Sequence, residues 1–91
     1  MEIEELCARE PGWTFSEGKI SRDWKFPDFV HAMRFVNSVA DIAERAGHHP
    51  DIDIRYNRVR LCLVTHDAGG ITHLDGEMVA RLNREFPPPS T

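Results

Sequence analysis

One continuous stretch decides the fold: 27-PDFVHAMRFVNSVADIAERAGHHPDIDIRYNRVRLCLVTH-66. Its first half predicts a long helix that runs to about Ala46, because apolar residues recur at steps of three and four. They form two neighbouring stripes: Phe29, Met33, Val36, Ala40 and Ala43, and beside them Phe35, Val39, Ile42 and Ala46. Pro27 suits the first turn of such a helix, and Gly47 suits the residue that follows its end. Together the stripes cover about half of the helix circumference, which fits either deep burial in a small domain or a second contact with another subunit.

The second half of the stretch predicts a β-hairpin, because apolar and polar residues alternate with period two. The alternation places two apolar rows on one face: Ile52, Ile54 and Tyr56, and then Val59, Leu61, Leu63 and Thr65. Asn57-Arg58 is the predicted turn, since asparagine tolerates left-handed backbone geometry. The ring of Tyr56 is expected in the core.

A first hairpin is predicted upstream of the long helix. Its apolar residues also alternate with polar ones: Trp13, Phe15, Ile20, Trp24 and Phe26. Glu17-Gly18 is the predicted turn, because glycine adopts positive φ without steric cost. Arg22 interrupts the inward row. Residues 1–10 predict a short helix that Pro11-Gly12 ends.

A last helix is predicted downstream of the second hairpin. Thr72 and Asp75 have the spacing of a capping box, and the stripe that follows is Leu74, Met78, Leu82 and Phe86. Pro87 stops this helix, so residues 87–91 are expected to be a frayed, proline-rich tail. The order α-β-β-α-β-β-α is of the α+β class, with helices packed on one face of a four-stranded antiparallel sheet. The 91 residues are expected to form one domain.

Composition excludes several classes of function. The formal net charge is −4 and the basic residues are scattered, which argues against direct nucleic-acid binding. The longest apolar run, Leu61 to Val64, is far shorter than the ~20 residues of a membrane span. The acidic start, Met1-Glu-Ile-Glu-Glu, does not look like a signal peptide, so a cytoplasmic location is expected.

Three histidines form the candidate site: His48, His49 and His66. Antiparallel pairing of the second hairpin returns the chain near His66 to the chain near His48 and His49. Imidazole exchanges protons near neutral pH, so this cluster suits general acid/base chemistry. The alternative is that these histidines are structural or merely exposed. His31 and His73 lie on predicted helices and are interpreted as surface or packing residues.

The carboxylates near this cluster have structural explanations, and the cluster itself must be weighed as a metal site. Asp75 is explained structurally as a helix-cap acid, and Glu44 as a solvated side chain on the polar arc of the long helix. Three histidines and an aspartate can hold zinc. However, neighbouring histidines on extended chain diverge, and the spacing that puts two ligands on one helix face is absent. No metal is therefore expected.

The same residues resemble a family signature. Glu44-x3-His48-His49-Pro50-x5-Tyr56-x9-His66-x8-Asp75 is similar to the signature of the pterin-4a-carbinolamine dehydratases. Thr65-His66-Asp67 followed by Gly70-Ile71-Thr72 also resembles the family pattern, as do Gly12-Trp13 and Phe26-x2-Phe29. The resemblance spans nearly the whole chain, roughly Leu6 to Phe86.

The resemblance implies an activity and a set of roles. The activity is dehydration of 4a-hydroxytetrahydropterin to quinonoid dihydropterin, without a metal or redox cofactor, after an aromatic amino acid hydroxylase has used the pterin. His48 and His66 would be the proton-transfer pair, their acid and base roles unassigned, and His49 would hold the pterin. Supporting roles would fall to Glu44, Thr65, Asp67, Asp75 and Trp13, with core packing as the alternative for Trp13.

The resemblance also bears on partners. A homodimer or homotetramer through the long helix and sheet is expected. Some members of the family act as dimerisation cofactors for a homeodomain transcription factor. A protein-binding module is therefore the alternative function, and a small metal-binding or structural domain is the third.

Overall fold

The fold is α+β, as predicted. The computed structural model describes residues 3–65 and 70–87, so His66, Asp67 and the tail beyond Pro87 lie outside the described residues. The elements are α1 (Ile3–Arg9), β1 (Thr14–Ser16), β2 (Lys19–Lys25), α2 (Phe29–Ala46), β3 (Asp51–Arg55), β4 (Arg58–Leu63) and α3 (His73–Glu85). All strand pairs are antiparallel, in the order β1-β2-β4-β3. The predicted element order is confirmed.

The two faces of the sheet differ in burial. One face carries Ile20, Val59, Leu61 and Leu63, all fully buried beneath the helices. The core residues that the helices contribute are mainly Phe35, Val39 and Ile42 of α2 and Met78, Val79 and Leu82 of α3. The alternate residues of the strands face the other way, and Asp23, Lys25 and Arg60 there are exposed. The period-two pattern therefore sorts the strands into an apolar inner face and a charged outer face.

Helix α2 is capped at both ends. Asp28 is its N-cap, and its carboxylate accepts from the backbone N–H of His31. Pro27 therefore precedes the helix, and the prediction that it occupies the first turn was wrong. Gly47 ends the helix with a φ of 67°, a left-handed geometry in which glycine carries no steric penalty. No helix within 3–65 and 70–87 is long and apolar enough to cross a bilayer.

Both stripes of α2 contribute to the core. The buried residues are Phe35, Val39 and Ile42 of the second stripe and Val36 and Ala43 of the first. Phe29, at the start of the first stripe, is 48% exposed. Its neighbour Val30 is 55% exposed. The apolar surface of α2 is thus wider than this one domain covers.

The Asp28 cap gives a pH-dependent contribution to stability. The backbone N–H of His31, followed by its ring, lowers the pKa of Asp28. Because the folded-state pKa is depressed, this contribution is present above the unfolded value of about 3.9. It is lost as pH falls through the folded value. Asp28→Asn keeps a capping oxygen but does not titrate. We expect the urea midpoint to fall less steeply in this variant than in wild type between about pH 4 and pH 2.

Asp28→Ala is the matched comparison for this prediction, because it loses both the cap and the charge. Its urea midpoint should be lower than that of wild type at neutral pH. Parallel pH profiles for wild type and Asp28→Asn would contradict the assignment.

The first hairpin turns where predicted, but the second does not. Glu17 and Gly18 both have positive φ, 53° and 78°. In the second hairpin Arg55 pairs with Arg58, so the loop is Tyr56-Asn57, one residue earlier than predicted. Asn57 instead ties the loop to the end of β2, because its side-chain Nδ2 donates to the backbone oxygen of Phe26 at 2.8 Å. Tyr56 takes the positive φ, 55°, and is 66% exposed, so its predicted core position was wrong.

A buried polar hub joins the two ends of the chain. The side-chain Oδ1 of Asn83 on α3 accepts from Trp13 Nε1 at 2.9 Å and from Arg22 Nη1 at 2.5 Å. Its Nδ2 donates to the Pro11 backbone oxygen at 3.1 Å. Arg22 is therefore part of the buried inner row, where its guanidinium also stacks on the Trp24 ring. Burial lowers the pKa of Arg22.

Candidate active site

His48 is aimed inward by the end of α2. After the left-handed Gly47, the backbone N–H of His48 donates to the Ala43 oxygen at 3.2 Å, which fixes the chain as it leaves the helix. The ring Nε2 of His48 lies 2.6 Å from Oδ1 of Asp75. The Asp75 side chain is fully buried, and that of His48 is 14% exposed. One edge of the imidazole is thus held by a buried carboxylate while part of the ring stays accessible.

Asp75 is fixed by more than this one contact. Its Oδ2 accepts from the Thr65 hydroxyl at 2.7 Å and from the Thr72 backbone N–H at 2.9 Å. Thr72 and Asp75 complete the predicted capping box at the start of α3. A single carboxylate therefore joins the chain after β4, the first turn of α3 and the histidine that follows α2. Asp75 is thus the helix-cap acid that the sequence predicts, and it also contacts His48.

The hydrogen bonds between the hydroxyl groups beside Asp75 have a defined donor and acceptor order. Thr65 Oγ1 and Thr72 Oγ1 are 2.7 Å apart. The Thr65 hydroxyl donates its one proton to Asp75, so in the contact between the two hydroxyls Thr72 donates to Thr65. The chain of donors thus runs from Thr72 through Thr65 to Asp75. Thr72 was predicted only as a cap, and its capping-box spacing was the available signal for this second contact.

A second imidazole–carboxylate pair lies on the surface. His49 Nε2 is 2.9 Å from Glu44 Oε2, and both side chains are exposed. His48 and His49 therefore diverge, as adjacent residues on extended chain should. Glu44 is both solvated and in contact with a neighbouring histidine.

The other predicted site residues lie elsewhere or outside the described ranges. Trp13 is buried, donates to Asn83 and packs edge-to-face on Trp24, so its core-packing alternative describes it. His31 and His73 are exposed at helix starts. The placement of His66 and Asp67 stays a prediction. Thr65, which precedes them, pairs with Gly70 in a short bridge.

A groove of about 370 Å³ borders His48, a size suited to a small molecule. Its wall is formed mainly by one side of α3, with Leu74, Glu77, Met78, Arg81 and Arg84, and by Ala46 at the end of α2. Among residues 3–65 and 70–87, no three histidine, cysteine or acidic side chains are grouped so as to hold a metal ion. The paired groups next to this groove are suited instead to moving protons.

Comparison with known proteins identifies the family. A family model described as pterin 4 alpha carbinolamine dehydratase matches residues 1–85. The chain belongs to this family. Relatives provisionally named pterin-4-alpha-carbinolamine dehydratase include one from Acidobacterium capsulatum, 59% identical over 88% of this chain and 87% of its own. Another, from Koribacter versatilis, is 55% identical over 94% of this chain and 92% of its own.

Solved structures agree with the fold. A transcriptional coactivator/pterin dehydratase from Brucella melitensis superposes with a TM-score of 0.85 and 36% identity, covering 91% of this chain and 90% of its own. A pterin dehydratase-like protein identified as a RuBisCO assembly factor in the alpha-carboxysome has a TM-score of 0.66 and 15% identity, covering 85% and 89%. At that identity the second match concerns the fold alone. The family resemblance of the sequence is confirmed.

Proposed function

We propose that this protein dehydrates 4a-hydroxytetrahydropterin to quinonoid dihydropterin, in the recycling of a tetrahydropterin cofactor. The observation that carries the proposal is the 2.6 Å contact between His48 and the fully buried Asp75. A histidine oriented by a buried carboxylate, with part of its ring accessible, has the arrangement of a general acid or base. Family membership supports the choice of substrate.

The proposed reaction needs two proton transfers. The bond from C4a to the hydroxyl oxygen breaks, and the leaving oxygen takes a proton to become water. The proton on N5 goes to a base as the C4a–N5 double bond forms. We assign these two transfers to His48 and His66. No electrons are gained or lost, so the step requires no redox cofactor, and imidazoles suffice near pH 7.

The neighbouring groups have supporting roles in this proposal. Asp75 fixes the orientation of the His48 ring and attracts the positive charge that forms when the ring is protonated. The Thr65 hydroxyl and the Thr72 backbone N–H hold Asp75 in place. Glu44 orients His49, which contacts the pterin. The enzyme class that generates this substrate is an aromatic amino acid hydroxylase.

The proposal is tested by ultraviolet absorbance on chemically generated 4a-hydroxytetrahydropterin. Folded wild-type protein should accelerate loss of the substrate over the spontaneous reaction. If it does not, the dehydratase proposal fails, and the protein-binding module becomes the better account. That alternative predicts complex formation with a partner protein that survives His48→Ala.

We also propose that the chain self-associates through the uncovered apolar surface of α2 and the edge strand β3. Phe29 and Val30 are exposed on α2, and the β3 residues Ile52 and Ile54 are partly exposed at the sheet edge. An apolar edge strand is prone to pair with another chain. Sedimentation velocity should give a mass above the 10.4 kDa of one chain.

The helix surface can be tested with a matched pair of variants. Val30→Asp places a charge on the exposed apolar surface and should shift the protein toward smaller species. Asn37→Asp places a charge on an exposed polar position of the same helix and should not. Equal sedimentation of both variants would remove α2 from the proposed interface.

A further inference from the structure

Three cations lie side by side on the outer face of the sheet. Lys25 of β2 pairs with Arg58 of β4, and Arg58 also pairs with Arg55 of β3. This set, the cation row, therefore crosses three neighbouring strands. Directly opposed like charges destabilise a strand pair, and here the central guanidinium has a cation on each side. The basic residues that look scattered in the sequence are gathered here by strand register.

The next row of the same face has the opposite arrangement. Arg60 lies between Asp23 and Asp53. Two hydrogen bonds, at 2.7 and 3.0 Å, join Arg60 to Asp23, and they lower the pKa of the carboxyl. Arg55 of the cation row donates to Asp53 at 3.2 Å. Within 3–65 and 70–87, both carboxylates of this row are thus engaged, whereas Lys25 and Arg58 form no ion pair.

A groove of about 470 Å³ coincides with these two rows. It is lined by both rows together with Trp24 and Val59. Its volume is within the range of small-molecule sites, roughly 300–1,000 Å³. Thr65 and His48 both contact Asp75, so Thr65 marks the end of the sheet near His48. Arg58 is seven residues from Thr65, about 23 Å of extended chain. The groove therefore lies at the other end of the sheet.

We propose that this groove binds a small phosphate-bearing molecule through Arg58 and Lys25. Guanidinium groups match the geometry of phosphate oxygens and bind them with paired hydrogen bonds. A bound phosphate would also relieve the repulsion within the cation row.

Charge favours a small ligand over a nucleic acid. The groove holds four cations and two carboxylates, a formal charge of +2, on a chain of net charge −4. The remainder of the chain therefore carries −6 and would repel a long polyanion. A compact anion meets only the local positive field.

The test is calorimetric titration of the full chain with inorganic pyrophosphate at constant ionic strength. Wild type should bind it, and Arg58→Gln and Lys25→Gln should each bind at least about tenfold more weakly, since each removes one charge-assisted contact. Lys19→Gln is the matched control. Lys19 is exposed on the same strand and face as Lys25 but lies at its other end, so its loss should leave affinity unchanged.

Thermal unfolding supplies a second readout that does not depend on dehydratase activity. Pyrophosphate should raise the Tm of wild type and of Lys19→Gln but not of Arg58→Gln. Without ligand, Arg58→Gln should be at least as stable as wild type, because it removes a repulsive charge. Equal pyrophosphate affinity in Arg58→Gln and Lys19→Gln, or no binding to wild type, would overturn the proposal. The proposal would also be overturned if a single-stranded oligonucleotide bound more tightly than pyrophosphate and its binding depended on Arg58.

Discussion

His48→Ala is expected to lower kcat/KM for dehydration of 4a-hydroxytetrahydropterin by roughly 10²–10⁴-fold, the usual contribution of a positioned proton-transfer group. The reason is structural. His48 is the described histidine that a buried carboxylate orients while its ring stays partly accessible. Without the ring, Asp75 has no proton-transfer group to orient, and water must carry out one of the two proton transfers. Stopped-flow ultraviolet absorbance on freshly generated substrate measures the change.

His31→Ala is the control for this experiment. His31 is also a histidine, but it lies in the exposed first turn of α2 and contacts Asp28. Its loss should leave turnover within about twofold of wild type, whereas His66→Ala should reproduce the effect of His48→Ala. Near-wild-type turnover by a folded His48→Ala protein would exclude His48 from the reaction.

Asp75→Ala is expected to reduce the free energy of unfolding by about 3 kcal/mol, the order seen when a buried, hydrogen-bonded charge is removed. The change leaves three groups without their acceptor: the Thr65 hydroxyl, the Thr72 backbone N–H and the His48 ring. Since small domains have total stabilities of roughly 5–15 kcal/mol, a loss of this size is large. Urea unfolding followed by circular dichroism measures it.

Asp75→Asn separates the structural role of this residue from its role at His48. The Thr65 hydroxyl and the Thr72 N–H both need an acceptor, so the amide oxygen of the asparagine should face them. Its NH₂ group then faces His48 Nε2, which must become an acceptor, and the ring takes the other tautomer. We expect a loss of about 1 kcal/mol in stability with a fall of roughly 10²–10⁴-fold in kcat and little change in KM.

The contrast between these two variants is the decisive result. If Asp75→Asn keeps wild-type kcat, then Asp75 is only a helix cap. If Asp75→Ala unfolds entirely, the asparagine variant still answers the question about turnover.

Much of the fold could be predicted because the strongest signals are periodic. The stripe Phe35, Val39 and Ile42 marked the buried side of α2, and the row Val59, Leu61 and Leu63 marked the inner face of β4. The second turn was misplaced by one residue because its register depends on Asn57 binding the end of β2, a contact 31 residues away in sequence. Such a long-range contact leaves no local pattern.

The site was predictable in part for the same reason. The return of the chain near His66 to the chain near His48 and His49 stays a prediction, and the antiparallel pairing of Asp51 with Cys62 has the direction that it requires. The contact between His48 and Asp75 joins residues 27 positions apart, and the capping-box spacing already explained an acid at position 75 without it. Because helix capping alone explains an acid at this position, no local pattern indicates that Asp75 also contacts His48. The burial of Arg22 was missed because its partner, Asn83, is 61 residues away.

The hub at Asn83 has a consequence for biosynthesis. Its amide joins Trp13 and Pro11, near the start of the chain, to the last helix, so these contacts span some 70 residues. Contacts between residues so far apart in sequence form late, and they slow folding. On the ribosome, the side-chain N–H groups of Trp13 and Arg22 therefore lack their acceptor, Asn83, until α3 has left the exit tunnel. Folding of this domain is expected to complete only after α3 has emerged, and chains truncated before Asn83 should be substrates for chaperones and proteases.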